Sequence, residues 1–163
     1  MSETVEVGIT QLIDSAPELS GLNIIIKLEI LNEFRNEVLA ELRKLDSKTL
    51  FKKSSGALLN SIGGFIIEDR IVFYSTKRYF KAQEDGVKPH TMWYLLGKTI
   101  PLRGESGSKP LFRKCTLKSI MNGKWKHPGY EGKHFVANTI ELVKERLPAI
   151  VSRKIYQHTG III

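Results

Sequence analysis

The sequence has a single cysteine, Cys115, among its 163 residues, so it cannot form an internal disulfide. We therefore expect a protein that is assembled in a reducing cytosol. The sequence also lacks any apolar run near the roughly 18 residues that a membrane-spanning helix requires. Its first residues show neither the basic region nor the apolar core of a secretory signal. These absences predict a protein that does not associate with membranes.

Motifs for metal or nucleotide chemistry are scarce. The spacings C-x-x-C and H-x-x-x-H of zinc sites do not occur among His90, His127, His134 and Cys115. Nothing around Cys115 resembles the signature of a thiol enzyme, so we interpret it as a structural thiol. The segment from Gly104 to Gly107 is too short for a phosphate-binding loop. We therefore predict a protein that is not an enzyme and that binds no metal or cofactor.

One catalytic pattern is present in part. Glu131 and Lys133 match the second half of the acid-x-lysine motif of metal-dependent nucleases, and Asp69 or Asp85 could supply the earlier carboxylate that holds magnesium. The pair lies in a turn before a helix, however, where such a nuclease would place a strand. A metal-dependent nuclease is therefore the least favoured alternative.

The positive charge is concentrated in the second half of the chain. Residues 1–69 carry 7 Lys and Arg against 11 Asp and Glu, whereas residues 70–163 carry 18 against 6. The second half should attract phosphate backbones or an acidic protein surface, with strong salt dependence in both cases. The alternative is a solvated surface that only keeps the protein soluble.

Two long helices are predicted from hydrophobic spacing. In residues 23–51 apolar residues recur at intervals of three and four, while four glutamates occupy another face: Glu29, Glu33, Glu37 and Glu41. We interpret this acidic stripe as a solvated face, or as a surface that docks on the basic half of a neighbouring copy. The second helix covers residues 135–154, and Pro148 predicts a kink or break near Arg146 or Leu147.

Strands are predicted between these helices. Residues 65–67 and 70–75 should form a hairpin, residues 111–117 another strand, and residues 4–9 an edge strand. Ser54 or Ser55 should cap a short helix that Gly63 and Gly64 end. The predicted fold is α+β, with an antiparallel sheet of about four strands packed against two long helices. Around it we place an N-terminal arm (1–22), a single domain (23–155), a long basic loop (97–110) and a tail (156–163) that adds as a strand to its own or a neighbour's sheet.

The stretch 123–137 combines turn residues, cations and large aromatics. Three glycines and Pro128 require a tight backbone path, and Trp125, Tyr130 and Phe135 can each bury much apolar area. Such a composition is typical of a packed junction or a binding surface.

The order of these elements resembles the small tail-completion and head-tail joining (neck) proteins of tailed bacteriophages. The matching segments are a short Gly-Leu-Ser-Ile-like stretch (55–62), a Tyr-Ala-x-x-x-Glu-x-Gly-like stretch (79–86), a Pro-Gly turn (127–129) and the start of a Phe-Leu-x-x-Ala-like helix (135–137). The resemblance covers roughly residues 24–155. The long insertion around residues 97–110 and the altered spacing in residues 79–86 depart from the family pattern.

The resemblance implies a structural virion protein, assembled in the host cytoplasm, that forms a homo-oligomeric ring. The ring would join the tail tube or tail terminator to the head connector and line the passage of genomic DNA. For its subunit interface we select Tyr79, Glu84, Trp125, His127, Pro128, Tyr130 and Phe135, with the core as the alternative position for the aromatic residues. For the DNA-facing lumen we select Lys98, Arg103 and Lys109.

A second hypothesis comes from the charge alone. The basic half could bind nucleic acid directly and without sequence specificity, in a protein that is a monomer or dimer. A free ring subunit, in contrast, should bind DNA weakly and with strong salt sensitivity.

Overall fold

The computed structural model describes residues 3–8, 12, 16, 21–51, 55–68, 70–102 and 111–160. The chain divides into two compact units. Unit 1 combines residues 1–85 with residues 133–163, and unit 2 is the contiguous insertion 86–132. The fold is α+β, as predicted. No helix in the described ranges is long and apolar enough to span a membrane.

The helices and strands follow one another in the order β1 (Glu3–Gly8), α1 (Ile24–Lys44), α2 (Ser47–Leu50), β2 (Ile62–Ile67), β3 (Arg70–Ser75), α3 (Phe80–Asp85), β4 (Gly86–Val87), β5 (His90–Thr91), β6 (Thr99–Leu102), β7 (Leu111–Lys114), α4 (Leu117–Met121), β8 (Lys126–His127), β9 (Tyr130–Glu131), α5 (Phe135–Lys144) and α6 (Leu147–Thr159). Two 3₁₀ turns, Leu59–Ser61 and Trp93–Leu95, complete the described structure.

Helix α1 confirms the strongest hydrophobic pattern in the sequence. Its first turn is capped by Asn23, whose side chain accepts a hydrogen bond from the backbone N–H of Ile25 at 3.0 Å. Its apolar stripe is buried in the core of unit 1. Arg43 and Lys44 lie in the last turn, where positive charge interacts favourably with the helix dipole.

The break predicted from Pro148 is also confirmed. Helix α5 ends at Lys144 and α6 begins at Leu147, so Pro148 lies in the first turn of the second helix. Proline is tolerated there because its missing N–H would have no intrahelical partner. The two helices pack against α1, and the described core of unit 1 includes residues from all three.

The sheet of unit 1 has three antiparallel strands in the order β1-β3-β2. The predicted hairpin of β2 and β3 and the predicted edge strand are confirmed, but the sheet has three strands where about four were expected. Residues 3–8 are thus part of the sheet, and Leu12 and Ala16 are buried in the core. Most of the described residues of the predicted N-terminal arm therefore belong to the sheet and the core of unit 1.

The prediction that Gly63 and Gly64 end a short helix is wrong. Only a 3₁₀ turn precedes them, and both glycines lie inside β2. The ring of Tyr74 lies where a Cβ at Gly63 would be, and the Arg35 side chain packs closely against Gly64. Tertiary contacts with small residues, rather than helix termination, explain these glycines.

Unit 2 consists of three two-stranded ladders and α4 around a small core. The ladders pair β4 with β9, β5 with β8, and β6 with β7. The predicted strand 111–117 ends at Lys114, because Thr116 and Ser119 form a capping box that starts α4. Cys115, Ile120 and Trp125 are buried together, with Met92, Leu95 and Ile100 packed against them.

Several predicted boundaries differ from those of the structure. The helix predicted over residues 23–51 is divided into α1, which ends at Lys44, and the short α2, and the loop expected over residues 97–110 contains β6. The single domain expected over residues 23–155 is divided by the insertion of unit 2. The tail expected from residue 156 begins later, since residues 156–159 belong to α6 and Gly160 caps that helix in the left-handed conformation. The rest of the predicted tail, 161–163, is outside the described residues.

Candidate functional site

Three of the seven residues selected for a subunit interface are buried inside the chain. Glu84 is 2% exposed, Trp125 6% and Phe135 2%, so none of them can form an intersubunit surface and that selection is wrong for these three. Tyr79, Pro128 and Tyr130 are exposed, and His127 is partly buried.

Glu84 caps a helix from a distant position in the sequence. Its carboxylate accepts backbone hydrogen bonds from Val136 at 3.0 Å and from Ala137 at 2.9 Å, in the first turn of α5. His134, which precedes that helix, is in the left-handed conformation and provides no side-chain cap. A carboxylate suits this position because it satisfies orphan N–H groups at the positive end of the helix dipole.

Phe135 and Trp125 are core residues of different units. The ring of Phe135 makes edge contacts with Phe51 and Phe80, at centroid distances of 5.7 and 6.0 Å. The indole N–H of Trp125 donates a 2.8 Å hydrogen bond to the Ser119 hydroxyl oxygen. The core alternative is therefore confirmed for both residues.

The turn after Trp125 is fixed by its histidine and glycine. The backbone N–H of Gly129 donates to Nδ1 of His127 at 3.0 Å, and the His127 ring stacks on His90 from the paired strand, with centroids 5.1 Å apart. Gly129 has a φ of +78°, and a Cβ there would lie 2.6 Å from the Val87 carbonyl oxygen. This part of the turn is a structural junction within unit 2.

Of the three residues selected for a DNA-facing lumen, only Lys98 can be placed. It is exposed in unit 2, immediately before β6. Arg103 and Lys109 lie outside the described residues. Lys98 belongs to a larger basic surface that the lumen selection did not include.

Unit 2 carries most of the net charge of the chain. It contains nine Lys and Arg against two Asp and Glu, a net charge of +7 out of the total of +8. Seven of these cations are described and exposed: Lys88, Lys98, Arg113, Lys114, Lys118, Lys124 and Lys126. Within the described part of unit 2, none of them forms an ion pair with a carboxylate. Their charge is available to an outside partner.

Besides Tyr130, seven large apolar side chains are exposed on the same unit. Three are aromatic residues near the ends of short elements, Trp93, Tyr94 and Phe112. The aliphatic members of this set are Leu96, Leu111, Leu117 and Met121. Aromatic residues and methionine are enriched in protein interfaces, so these exposed side chains are candidates for contact with another protein. We call the seven cations and these seven apolar residues together the unit 2 surface.

The acidic stripe of α1 has its partners within the same chain. Its four carboxylates form ion pairs with α6 and the residue before it; the pairs are Glu29 with Lys154, Glu33 with Arg153 and Lys154, and Glu37 and Glu41 with Arg146. Glu29 also has a hydrogen bond with His158. The hydrogen bond from Arg146, followed by that from Lys44, lowers the pKa of Glu41. The hydrogen bond from His158 is the largest cause of the lowered pKa of Glu29. The stripe joins α1 to α6, which contradicts its use as a docking surface for a neighbouring copy.

Of the residues considered for a nuclease, Glu131 lies in a strand, β9, where the sequence predicted a turn, and it pairs with Gly86, the residue that follows Asp85. Asp85 is exposed at the end of α3, and Asp69 is outside the described residues. Among the residues that can be placed, no three His, Cys, Asp or Glu side chains form a group that could hold a metal ion.

Comparison of the chain with protein-family models, with curated proteins and with solved structures gives no significant match.

Sequence reasoning missed two parts of the site. The cap by Glu84 joins residues that are 52 positions apart. The one sequence signal for Glu84 was its position two residues before Gly86. The concentration of charge in unit 2 is visible by counting once the insertion boundaries are known, but the sequence does not mark those boundaries.

Proposed function

We propose that this chain is a structural virion protein of a tailed bacteriophage, a neck or tail-completion subunit. Copies would form a ring that joins the tail tube to the head connector and lines the DNA passage, after assembly in the host cytoplasm. The observation that carries the proposal is the unit 2 surface, that is, the exposure of seven cations and seven large apolar side chains on one unit. The order of the sequence motifs supports it by resemblance.

The two components of the unit 2 surface suit two different tasks. Apolar and aromatic side chains stabilise contacts between proteins by burying area. Exposed lysines attract the phosphates of passing DNA without reading its sequence, as DNA transit requires. A single inserted unit can supply both properties to each copy in a ring.

The test is the solution mass of the purified protein, measured by light scattering after size-exclusion chromatography over a range of concentration and salt. We expect a ring-sized species, or a monomer that forms one when the cognate tail-tube or connector protein is added. Trp93→Ser with Met121→Ser should abolish that species. Tyr156→Ser, an equally exposed aromatic of unit 1, is the matched control and should leave it intact. A protein that stays monomeric with both partners would contradict the proposal.

A second candidate function is direct binding of nucleic acid. It is favoured by the exposed aromatics Trp93, Tyr94 and Phe112, which occur on the same unit as the cations and can stack on unpaired bases. Fluorescence anisotropy with single-stranded and duplex oligonucleotides in physiological salt tests it. Micromolar affinity in a protein that remains monomeric would favour this function over the ring.

A further inference from the structure

In the part of the chain that the structure describes, strand β2 (Ile62–Ile67) is an edge of the unit 1 sheet without a charged residue or proline. The opposite edge, β1, carries Glu6, which lies within 3.7 Å of Arg70. Native proteins place charges or proline on edge strands to prevent pairing with other chains. The two edges of one sheet therefore differ, and β2 is the open one.

The register shows which backbone groups of β2 are available. Ile67 pairs with Arg70 across a two-residue turn, and Glu68 has the positive φ of 53° that such a turn requires. The closing pair of a two-residue hairpin exchanges hydrogen bonds, and bonded pairs then alternate along the strands. Gly63, Phe65 and Ile67 therefore bond to β3. Gly64 and Ile66 direct their N–H and C=O groups away from it, and no other described strand pairs with β2 on that side.

Strand β7 offers a matching free edge in unit 2. The N–H of Cys115 donates to the carbonyl of Lys98 at 2.8 Å, which fixes the alternation in the β6–β7 hairpin. Leu111 and Arg113 therefore bond to β6, whereas Phe112 and Lys114 direct their backbone groups outward. The other edge of the hairpin is blocked, because Pro101 of β6 has an outward position and lacks an N–H.

The side chains of β7 are also without cover. Leu111 is 64% exposed and Phe112 65%, and Arg113 and Lys114 are exposed beside them. An isolated two-stranded hairpin is at best marginally stable in water, so a third strand would stabilise it. The chain therefore contains an acceptor edge, β2, and a donor strand, β7, that could pair between two copies.

Charge and hydrophobicity agree with pairing between these two strands. The outer face of the sheet exposes Phe65 and Ile67 of β2, and either Leu111 or Phe112 of an added β7 can pack beside them, because successive side chains of a strand point to opposite faces. The β2–β3 turn contributes the exposed carboxylate of Glu68 next to the uncharged strand, while β7 contributes Arg113 and Lys114. No like charges would be brought together along the strands themselves.

From this we infer that β7 of one copy adds as a fourth strand to β2 of a second copy. The inference rests on the proposed ring function and specifies its contact. Each copy donates one strand and accepts one, and such a heterologous contact propagates from copy to copy and closes into a ring when the rotation allows it. Main-chain hydrogen bonds would supply affinity, and Leu111 and Phe112 would supply specificity.

Hydrogen exchange at single-residue resolution tests the pairing, with the full chain compared in its dilute monomeric and its assembled state. We expect the amides of Gly64, Ile66, Phe112 and Lys114 to exchange rapidly in the monomer and about tenfold or more slowly in the assembly. The internal controls alternate with them: the amides of Phe65, Ile67, Leu111 and Arg113 bond within the chain and should change little.

The outcomes separate this inference from the proposed function. Assembly without new protection at Gly64 and Ile66 overturns strand addition but leaves the ring. Protection in β2 without protection at Phe112 and Lys114 overturns β7 as the donor. A closed pair of copies with all four amides protected supports the inference and contradicts the ring, and a persistent monomer contradicts both.

Substitutions at Ile67 test whether the strand that pairs with β2 is positively charged, as β7 is. Ile67 is 51% exposed on the outer face of the sheet, so Ile67→Lys should preserve the fold. It should raise the concentration of half-assembly about tenfold or more, because the new lysine would lie near whichever of Arg113 and Lys114 shares its face of the sheet. Ile67→Glu should assemble better than Ile67→Lys. Thr4→Lys, an exposed position on β1, is the matched control and should change assembly less than twofold; equal effects of all three variants would overturn the inference.

Discussion

Removing the carboxylate of Glu84 should destabilise unit 1 by about 3 kcal/mol. The N–H of Val136, a fully buried residue, would lose a charged acceptor and remain without water, which costs about 1–3 kcal/mol. The N–H of Ala137 can be hydrated, since that residue is exposed, so its lost bond should cost about 1 kcal/mol. The sum exceeds the roughly 0.5–2 kcal/mol of an ordinary lost N-cap, because two hydrogen bonds to one buried charged acceptor are lost.

Urea unfolding followed by circular dichroism at 222 nm measures the effect of Glu84→Ala. For a chain of this length the melting temperature should fall by about 6–12 °C. Glu84→Gln keeps one acceptor oxygen and should lose about half as much free energy. Glu145→Ala, an exposed carboxylate just after the last turn of α5, is the control and should stay within about 0.5 kcal/mol of the parent. A loss below about 0.5 kcal/mol for Glu84→Ala would refute the capping role.

Three further predictions concern other parts of the chain. Ion pairs lower the pKa of Glu29 and Glu41, so the stability that they contribute is complete above the ordinary value of 4.5 and is lost as the pH falls through the lowered values. Between pH 7 and 3 the melting temperature should therefore fall less steeply when both residues are replaced by glutamine. Identical pH profiles of the variant and the parent would exclude the effect. Gly86→Ala should cost about 3 kcal/mol or more, since its Cβ would lie 2.5 Å from backbone atoms, whereas Gly97→Ala, with a similar φ and open space, should cost only about 1–2 kcal/mol of backbone strain in a tryptophan-fluorescence unfolding assay. Replacement of residues 86–132 by a short glycine-serine linker should leave a unit 1 that unfolds cooperatively by calorimetry, because backbone hydrogen bonds already join the two ends of the insertion; a non-cooperative transition would contradict this.

Local signals in the sequence were sufficient for the long elements. The spacing of leucines predicted α1, and Pro148 located the break between α5 and α6, because both effects depend on neighbours within a few residues. The hairpin was predicted by β-branched residues on both sides of a two-residue turn. These features follow from chain geometry alone.

Features that depend on distant residues were missed. Gly63 and Gly64 were predicted to end a helix because no nearby residue indicates their contacts with the Tyr74 ring and the Arg35 side chain. Those contacts require small residues at both positions. The strands of unit 2 that contain only two residues are too short to show any period. The role of Glu84 became visible only when α3 and α5 were placed side by side.

The insertion also dictates the order in which the molecule can form during translation. Unit 2 is contiguous in sequence and can begin to fold as soon as it has left the ribosome, but α1 must wait for α5 and α6. Between the synthesis of Lys44 and that of Phe135 the ribosome needs roughly 5 to 20 s at ordinary elongation rates. Throughout that interval the apolar face of α1 lacks its final partners, which makes the nascent chain a natural client for chaperones that bind exposed hydrophobic helices.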